Sequence, residues 1–283
     1  MKTFSMAPSE SERFEEVACP LCGAEAPVEH FDLQDARFVR CVHCGHIYQS
    51  PRPMFEDLRR RYQDAYFDYE MENEQAFFRL MLQGLGDIRF QRIEDSLNGN
   101  KRFLDVGCAT GMLLEHMKGR GWHVQGVEIC APAARYGVEQ RDVSIEVATL
   151  EESRLPAASF DVVHLSHLIE HVPDPRGFLE EAARVTKPGG YLVLVTPDIA
   201  GFQAKLFGKR WRSAIADHLH LFSYRRLRNL IEETGYSVTT KRSWGGIAAG
   251  SAPQPVKRFA DTWAKRLNRG DVMIVLARRL DSR

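Results

Sequence analysis

The sequence has no long apolar run and no net charge. No stretch of 18 consecutive apolar residues occurs in its 283 residues, so no transmembrane helix is expected. The opening residues, M-K-T-F-S-M-A-P-S-E, lack the apolar core of a secretory signal. These absences predict a cytoplasmic protein. Because 44% of the residues are hydrophobic, the chain can form one sizeable core and a small appended module.

The charge balances overall but is unevenly distributed. Residues 199–270 carry 14 Lys/Arg and 4 Asp/Glu, a net charge of +10, whereas residues 1–100 carry 11 and 18, a net charge of −7. This polarity favours an anionic partner for the later segment. A solvated helical surface, balanced by the acidic first hundred residues, explains the same pattern equally well.

Four of the six cysteines form two matched pairs, C-P-L-C-G and C-V-H-C-G, with 18 residues between them. This spacing predicts a metal site built from Cys19, Cys22, Cys41 and Cys44. Four thiolates are typical of a closed structural zinc site, and each Cys-x-x-Cys-Gly resembles a zinc-ribbon knuckle. Iron is the alternative metal, and a redox dithiol explains two matched pairs less well.

The stretch Phe103 to Gly111, F-L-D-V-G-C-A-T-G, reads as a buried strand that opens into a glycine-rich turn. Apolar residues at helical spacing follow it, so the turn lies at a strand-to-helix junction where backbone can approach a ligand. A second apolar strand, Trp122 to Ile129, carries Glu128 near its end, where an acid can accept hydrogen bonds from ribose hydroxyls. The spacing is D-x-G-x-x-x-G, so the pyrophosphate-binding glycine triplet is missing.

At these residues the chain resembles the class I S-adenosylmethionine-dependent methyltransferases, whose D-x-G-x-x-x-G turn holds the methionine end of the cofactor. The motifs S-F-D-V-V-H-L, I-E-H-V-P-D-P and K-P-G-G-Y-L-V-L-V-T-P follow at the family's spacing. The resemblance covers roughly Lys101 to Pro197. The alternative is a doubly wound domain with another nucleotide ligand.

The resemblance implies an α/β fold with a doubly wound, seven-stranded, mostly parallel sheet. Its closing antiparallel strands would be Tyr236 to Trp244 and Asp271 to Arg279. We expect a zinc-ribbon-like module over residues 1–53, a helical linker or lid over 54–100, and the methyltransferase domain over 101–283, with an acceptor-side insertion at about 198–222. One amphipathic helix is expected over residues 72–97, and a flexible segment followed by a basic helix over residues 245–267.

The resemblance also assigns cofactor contacts. We expect S-adenosylmethionine to contact residues on the first four strands and their loops, namely Asp105, Gly107, Gly111, Glu128, Ile129, Thr149, Leu150 and Ser166. Many relatives carry an acid where Ala148 or Thr149 stands here. An adenine amino contact would therefore come from backbone or from Glu151.

Histidines supply the candidate catalytic groups. His167, Glu170 and His171 follow the fourth strand at positions i, i+3 and i+4, and His218 lies in a later D-H-L-H-L segment. His167, His171 and His218 are the candidate bases or acceptor contacts. Alternatively, Glu170 and His171 brace the loop before Pro173. Some members of the superfamily use E-x-x-E-H together with a further histidine to hold a divalent metal that coordinates the acceptor hydroxyls, and here His167 replaces the first acid of that pattern.

The expected function is methyl transfer from S-adenosylmethionine to a small-molecule or sugar acceptor, at oxygen. The zinc module resembles that of sugar- and natural-product-modifying methyltransferases. An RNA methyltransferase is the alternative, since ribosomal RNA enzymes also carry zinc modules and the basic segment would suit a phosphate backbone. A zinc-anchored binding protein without catalysis is a third interpretation, which intact cofactor motifs disfavour.

Overall fold

The computed structural model describes residues 12–246 and 261–281. The expected flexible segment and the first half of the expected basic helix lie mostly outside these residues. A seven-stranded sheet forms the centre of the fold, in the order β12-β13-β10-β9-β6-β7-β8. The strands in chain order are β6 (Arg102–Val106), β7 (His123–Glu128), β8 (Ile145–Val147), β9 (Phe160–Ser166), β10 (Thr186–Pro197), β12 (Tyr236–Trp244) and β13 (Val272–Arg279).

Five of these strands are parallel, and β13 lies antiparallel between β10 and β12. The prediction of a seven-stranded, mostly parallel sheet with a closing antiparallel pair is therefore confirmed. Near-continuous apolar strands such as Phe160 to Leu165 are buried on both faces, as a parallel sheet requires. Parallel strands end at one edge of the sheet, which brings the ends of β6, β7 and β9 together.

Helices cover both faces of the sheet. On one face α6 (Pro175–Val185) and α8 (Tyr224–Glu233) bury Phe178, Leu179, Leu227 and Ile231 against it. On the other face lie α2 (Asp64–Asp87), α3 (Phe90–Ser96) and α4 (Met112–Gly119). The remaining helices are α1 (Phe55–Arg60), α5 (Ala131–Arg141) and α7 (Phe202–Phe207).

The expectation of a single helix over residues 72–97 was wrong. The helix begins earlier, at Asp64, and it is interrupted at Arg89, whose φ of 59° is left-handed. Gly84 explains the close packing before this break, because a Cβ there would lie 3.2 Å from both Ile274 and Trp244. The glycine lets α2 approach the sheet, and α3 then packs Phe90 against Phe103 of β6 and against Trp122.

The cysteine-rich segment forms a small antiparallel sheet of its own. It comprises β2 (Pro27–Asp32), β3 (Arg37–Cys41) and β4 (Ile47–Gln49), and β11 (His220–Leu221) from the later insertion pairs with β4. A two-residue ladder joins β1 (Phe14–Glu15) to β5 (Arg52–Pro53). The insertion and the N-terminal module thus share one sheet.

Across the described residues, no helix is both long and apolar enough to cross a membrane.

Candidate functional site

One continuous cavity of about 1060 Å³ lies above the ends of β6, β7 and β9 and under α2. This volume is at the upper end of the roughly 300–1,000 Å³ typical of small-molecule sites. Of the predicted cofactor residues, Asp105, Gly107, Glu128, Ile129, Thr149, Leu150 and Ser166 line it, as do the three candidate histidines, His167, His171 and His218.

Gly111 is not among the lining residues. It stands at the start of α4 with a φ of 75°, and a Cβ at this position would approach Val143 to 2.9 Å. A left-handed backbone and close packing both require glycine here. Gly111 therefore shapes the turn, whereas Gly107 lies at the cavity surface.

Glu128 is held rigidly at the end of β7. Its carboxylate accepts hydrogen bonds from the backbone N–H groups of Ala109 at 2.9 Å and Cys130 at 2.8 Å. Burial raises the pKa of Glu128 above its usual range, although these N–H groups stabilise the ionised form. The carboxylate is thus fixed in orientation and retains lone pairs for a ligand's hydroxyl groups.

The neighbouring Asp105 is also buried and bonded. Its Oδ1 lies 2.7 Å from Nδ1 of His164, a buried histidine on the adjacent strand β9. This contact joins β6 to β9 directly below the glycine turn. It fixes the strand ends from which the turn and the His167 loop begin.

A carboxylate that sequence reasoning missed projects from α2. Glu70 is half-buried, lines the cavity and is hydrogen-bonded to Tyr66. Burial and the nearby charges of Glu128 and Glu74 raise its pKa to about 7, against the lowering effects of Tyr66 and His167. The neighbouring Glu74 is paired instead with Thr110 and Arg141. The only sequence signal for Glu70 was its place in the segment 54–100, which was expected to act as a linker or lid, and it lay outside the helix expected over residues 72–97.

The other end of the cavity is organised by Glu170. This residue is 1% exposed. One carboxylate oxygen lies 3.1 Å from His167 Nδ1, and the other accepts a hydrogen bond from Thr196 Oγ1 at 2.8 Å. Burial would raise the pKa of Glu170, but the hydrogen bond with His167 and the nearby imidazoles lower it to about 2. Glu170 is therefore an ionised carboxylate with one hydrogen-bond partner at each oxygen, and it orients the imidazole of His167.

His167 has a left-handed backbone, with a φ of 51°, which is uncommon for a residue other than glycine and is often found at functional positions. Its side chain is 50% exposed. Since Nδ1 contacts Glu170, Nε2 remains available toward the cavity. This arrangement can accept a proton from a bound acceptor.

His171 and His218 form a second imidazole pair beside Glu170. Each donates its Nδ1 proton to a backbone carbonyl at 2.8 Å, that of Asp217 for His171 and that of Ser213 for His218. In the neutral form of each ring, Nε2 is therefore the nitrogen that can accept a proton or bind a metal, and the ring centroids lie 4.8 Å apart. Burial lowers the pKa of His218 to about 3, so this imidazole is neutral.

The ligand atoms of Glu170, His171 and His218 all lie within 4.8 Å of one another. Imidazoles whose Nδ1–H is bound to a carbonyl are the usual form of metal-ligating histidine, and this donor set is able to hold a divalent cation. The structure thus groups Glu170 and His171 with His218 as the further histidine, whereas His167 contacts Glu170 through Nδ1, and whether His167 also takes part in a metal site stays a prediction.

The four predicted metal-ligating cysteines also come together. Their sulfur atoms lie within 4.8 Å of one another, with Cys19 and Cys44 3.5 Å apart and Cys22 and Cys41 3.6 Å apart. A tetrahedral zinc with Zn–S bonds of 2.3 Å requires S–S separations of about 3.8 Å. The backbone N–H of Cys44 points at the sulfur of Cys41 at 3.4 Å, as in a knuckle. The cluster therefore fits a structural zinc ion.

This cysteine module packs against the wall of the histidine site. His46 contacts His220 at 3.1 Å, and His220 donates to the carbonyl of Val172 at 2.9 Å. Arg52 donates to the carbonyl of Pro173 at 2.8 Å. The module thus braces both segments that carry His171 and His218.

The fold and the cavity define the class: a class I methyltransferase, with the glycine-turn motifs and the candidate histidines at one sheet edge. A sequence profile described as a methyltransferase domain matches residues 78–241. The chain therefore belongs to the methyltransferase domain family, and the resemblance predicted from sequence is confirmed.

Individual relatives agree with this assignment. The chain is 34% identical over 179 residues to a protein of Hahella chejuensis named ubiquinone biosynthesis O-methyltransferase, a match that covers 60% of this chain and 63% of the relative. The chain thus spans less than two thirds of that relative's length.

Two solved structures share the fold. One is a complex between the Haloferax volcanii Trm112 methyltransferase activator and a methyltransferase, with a TM-score of 0.57, 17% identity, and coverage of 78% of this chain and 96% of that one. The other is an S-adenosylmethionine-dependent methyltransferase from Archaeoglobus fulgidus, with a TM-score of 0.52, 20% identity, and coverage of 76% and 100%.

Proposed function

We propose that the protein transfers a methyl group from S-adenosylmethionine to a hydroxyl oxygen of a small-molecule acceptor. The observation that carries this proposal is the single cavity shared by the Glu128 end and the His167 end. Methyl transfer is an in-line displacement, so donor and acceptor must lie in one enclosed space. The names of the curated relatives support oxygen as the methylated atom.

For the acceptor we propose a hydroxylated aromatic compound, of which a ubiquinone precursor is the example that the relatives' names suggest. Apolar side chains, including Phe55, Leu58 and Ile215, contribute to the cavity wall. Such walls suit an aromatic ring better than a sugar, whose hydroxyl groups require many polar partners. The earlier expectation of a sugar or glycan acceptor becomes the less favoured alternative.

In the proposed complex Glu128 would accept hydrogen bonds from the ribose hydroxyls, Gly107 would contact the methionine end, and Thr149 and Leu150 would contact the adenine. Glu70 would bind the cofactor's ammonium group. The unpaired lone pairs of Glu128 and the half-buried carboxylate of Glu70 support this orientation. The carboxylate of Glu152 accepts a hydrogen bond from the backbone N–H of Thr149 at 2.9 Å and so holds this turn.

His167 is the proposed general base. It would take the proton from the acceptor hydroxyl at Nε2 while Glu170 holds Nδ1 and stabilises the imidazolium. His171 and His218 would contact the acceptor. A divalent cation held by Glu170, His171 and His218 would supply a Lewis acid for the same hydroxyl.

At the four cysteines we propose a structural zinc ion.

The test is a methyl-transfer assay with catechols that carry different alkyl side chains, read as transfer of labelled methyl to oxygen. Replacing His167 by Ala should lower kcat by about 10²- to 10⁴-fold while leaving the affinity for S-adenosylhomocysteine unchanged. His123→Ala, at an exposed position on β7, is the matched control and should keep full activity.

Two results would count against this proposal. An unchanged kcat in His167→Ala would remove the base assignment. Tight cofactor binding without transfer to any hydroxylated aromatic, with or without Mg²⁺, Mn²⁺ or Zn²⁺, would favour a different acceptor class or a binding protein.

A further inference from the structure

Two short helical segments expose an unusual number of large apolar side chains. On α7, Phe202 is 48% exposed and Leu206 is 59% exposed. On the helical residues 261–266 and the turn after them, Trp263 is 45% and Leu267 is 60% exposed. Single exposed apolar residues are ordinary, but a group of them rimmed by polar residues marks an interaction site.

The two segments are neighbours in space. The backbone N–H of Phe202 donates to the carbonyl of Arg269 at 3.0 Å, and Gly201 lies directly against Gly270. The inner sides of both segments, through Gln203 and Lys265, line the cavity. The exposed apolar side chains therefore lie on outer surfaces of the cavity wall, and we call Phe202, Leu206, Trp263 and Leu267 the apolar patch.

The rim of this patch is basic. Its cations are Lys205, Lys209, Arg210, Arg266 and Arg269, all exposed. Within residues 12–246 and 261–281, none of the five forms a salt bridge with a carboxylate. Unpaired cations beside exposed apolar side chains are complementary to an anionic, partly apolar surface.

We propose that the apolar patch and its basic rim bind the surface of an anionic lipid bilayer. The exposed leucines favour a lipid surface over a nucleic acid. The cations could bind phosphates of either partner, but burial of Leu206 and Leu267 lowers the free energy only when these side chains enter an apolar phase. Interfacial helices combine Lys/Arg with Trp, Phe and Leu in this way. This inference concerns binding alone and does not depend on the identity of the methyl acceptor.

The experiment is co-sedimentation of the full chain with vesicles of phosphatidylcholine mixed with phosphatidylglycerol, compared with vesicles of phosphatidylcholine alone. We expect binding to the anionic vesicles and at least tenfold weaker binding to the neutral ones. Leu206→Ser combined with Leu267→Ser should reduce anionic vesicle binding by at least tenfold. Adding Lys209→Glu and Arg210→Glu should reduce the affinity for anionic vesicles further, because each cation near such a surface raises that affinity about fivefold.

The matched control combines Arg135→Glu with Val138→Ser. Both residues are exposed on α5, which packs on β7 and β8 at the opposite edge of the sheet. This variant should bind vesicles like the unaltered protein. Unchanged S-adenosylhomocysteine affinity and unchanged melting temperature in each variant show that the fold is intact.

Equal vesicle binding by the leucine variant and the unaltered protein would overturn the proposal. So would tighter binding to single-stranded RNA than to anionic vesicles at physiological salt, with the leucine variant unaffected. The second outcome would assign the basic rim to a nucleic acid.

Discussion

At the scale of single residues, the structure separates positions that the sequence could specify from those it could not. Glu128 was predictable, because an acid at the end of the second strand follows from the strand–turn–helix pattern. Glu70 was not, because it lies 58 positions before Glu128 on a helix with several acids. Only the packing of α2 over the glycine turn distinguishes Glu70 from its exposed neighbour Glu72.

The same applies to the histidines. His167, His171 and His218 were candidates by residue type, and all three line the cavity. The sequence could not show that Glu170 binds His167 on one side while His171 and His218 form a separate pair. Those contacts depend on the path of the insertion, which returns His218 to a segment 47 positions earlier in the chain.

The raised pKa of Glu70 gives a prediction about cofactor binding. In the free protein Glu70 is ionised above pH of about 7 and neutral below it. Because the cofactor's ammonium group favours the carboxylate, the affinity for S-adenosylhomocysteine should fall as the pH drops through 7. In Glu70→Gln this pH dependence should disappear, and at pH 8 binding should be about 10- to 100-fold weaker, the contribution of a charged hydrogen bond.

Calorimetry between pH 5.5 and 8.5 measures this effect. The charged and polar groups near Glu70 are Tyr66 and Glu74 on its own helix, Glu128 on β7 and His167 after β9. Methylthioadenosine, which lacks the amino-acid group, should bind the Gln variant and the unaltered protein equally. Glu72→Gln is the control on the outer side of α2. A persistent pH dependence in Glu70→Gln would assign the titration to another group.

At the scale of elements, strands were well predicted and the helix boundary on α2 was not. The limits of β7, β12 and β13 agree with the expected Trp122 to Ile129, Tyr236 to Trp244 and Asp271 to Arg279 to within about one residue at each end. The break at Arg89 was not predicted, because neither glycine nor proline stands at this left-handed position to mark it. The pairing of β4 with β11 joins positions more than 170 residues apart, and no local signal marks it.

That pairing leads to a prediction about the cysteine module. Cys41→Ser should abolish stoichiometric zinc, measured by elemental analysis, and should make residues 12–53 protease-sensitive, because metal binding and folding are coupled. The acceptor KM should rise, since the module braces the segments carrying His171 and His218. The affinity for S-adenosylhomocysteine should change little.

Val42→Ser is the control for this variant, since Val42 is 60% exposed within the same knuckle. It should retain one zinc ion per chain. A Cys41→Ser protein with full zinc content would refute the four-cysteine site. Loss of zinc with an unchanged acceptor KM would refute the bracing role alone.

At the scale of the whole molecule, the motifs specified a fold and a class because they recur at fixed places on one sheet. They did not specify how the module, the insertion and the sheet assemble around one cavity. That assembly rests on long-range contacts such as those of Arg61, which pairs with both Glu12 and Asp217. The domain limits and the cytoplasmic location stay predictions.

Whether the cavity binds S-adenosylmethionine is tested most directly by calorimetric titration of the full chain with S-adenosylhomocysteine, beside NAD as the competing nucleotide. We expect one binding site for S-adenosylhomocysteine, no binding of NAD, and at least tenfold weaker binding in Glu128→Ala, because the ribose hydroxyls lose their charged acceptor. Binding of NAD without any response to S-adenosylhomocysteine, or an unchanged affinity in Glu128→Ala, would contradict this expectation.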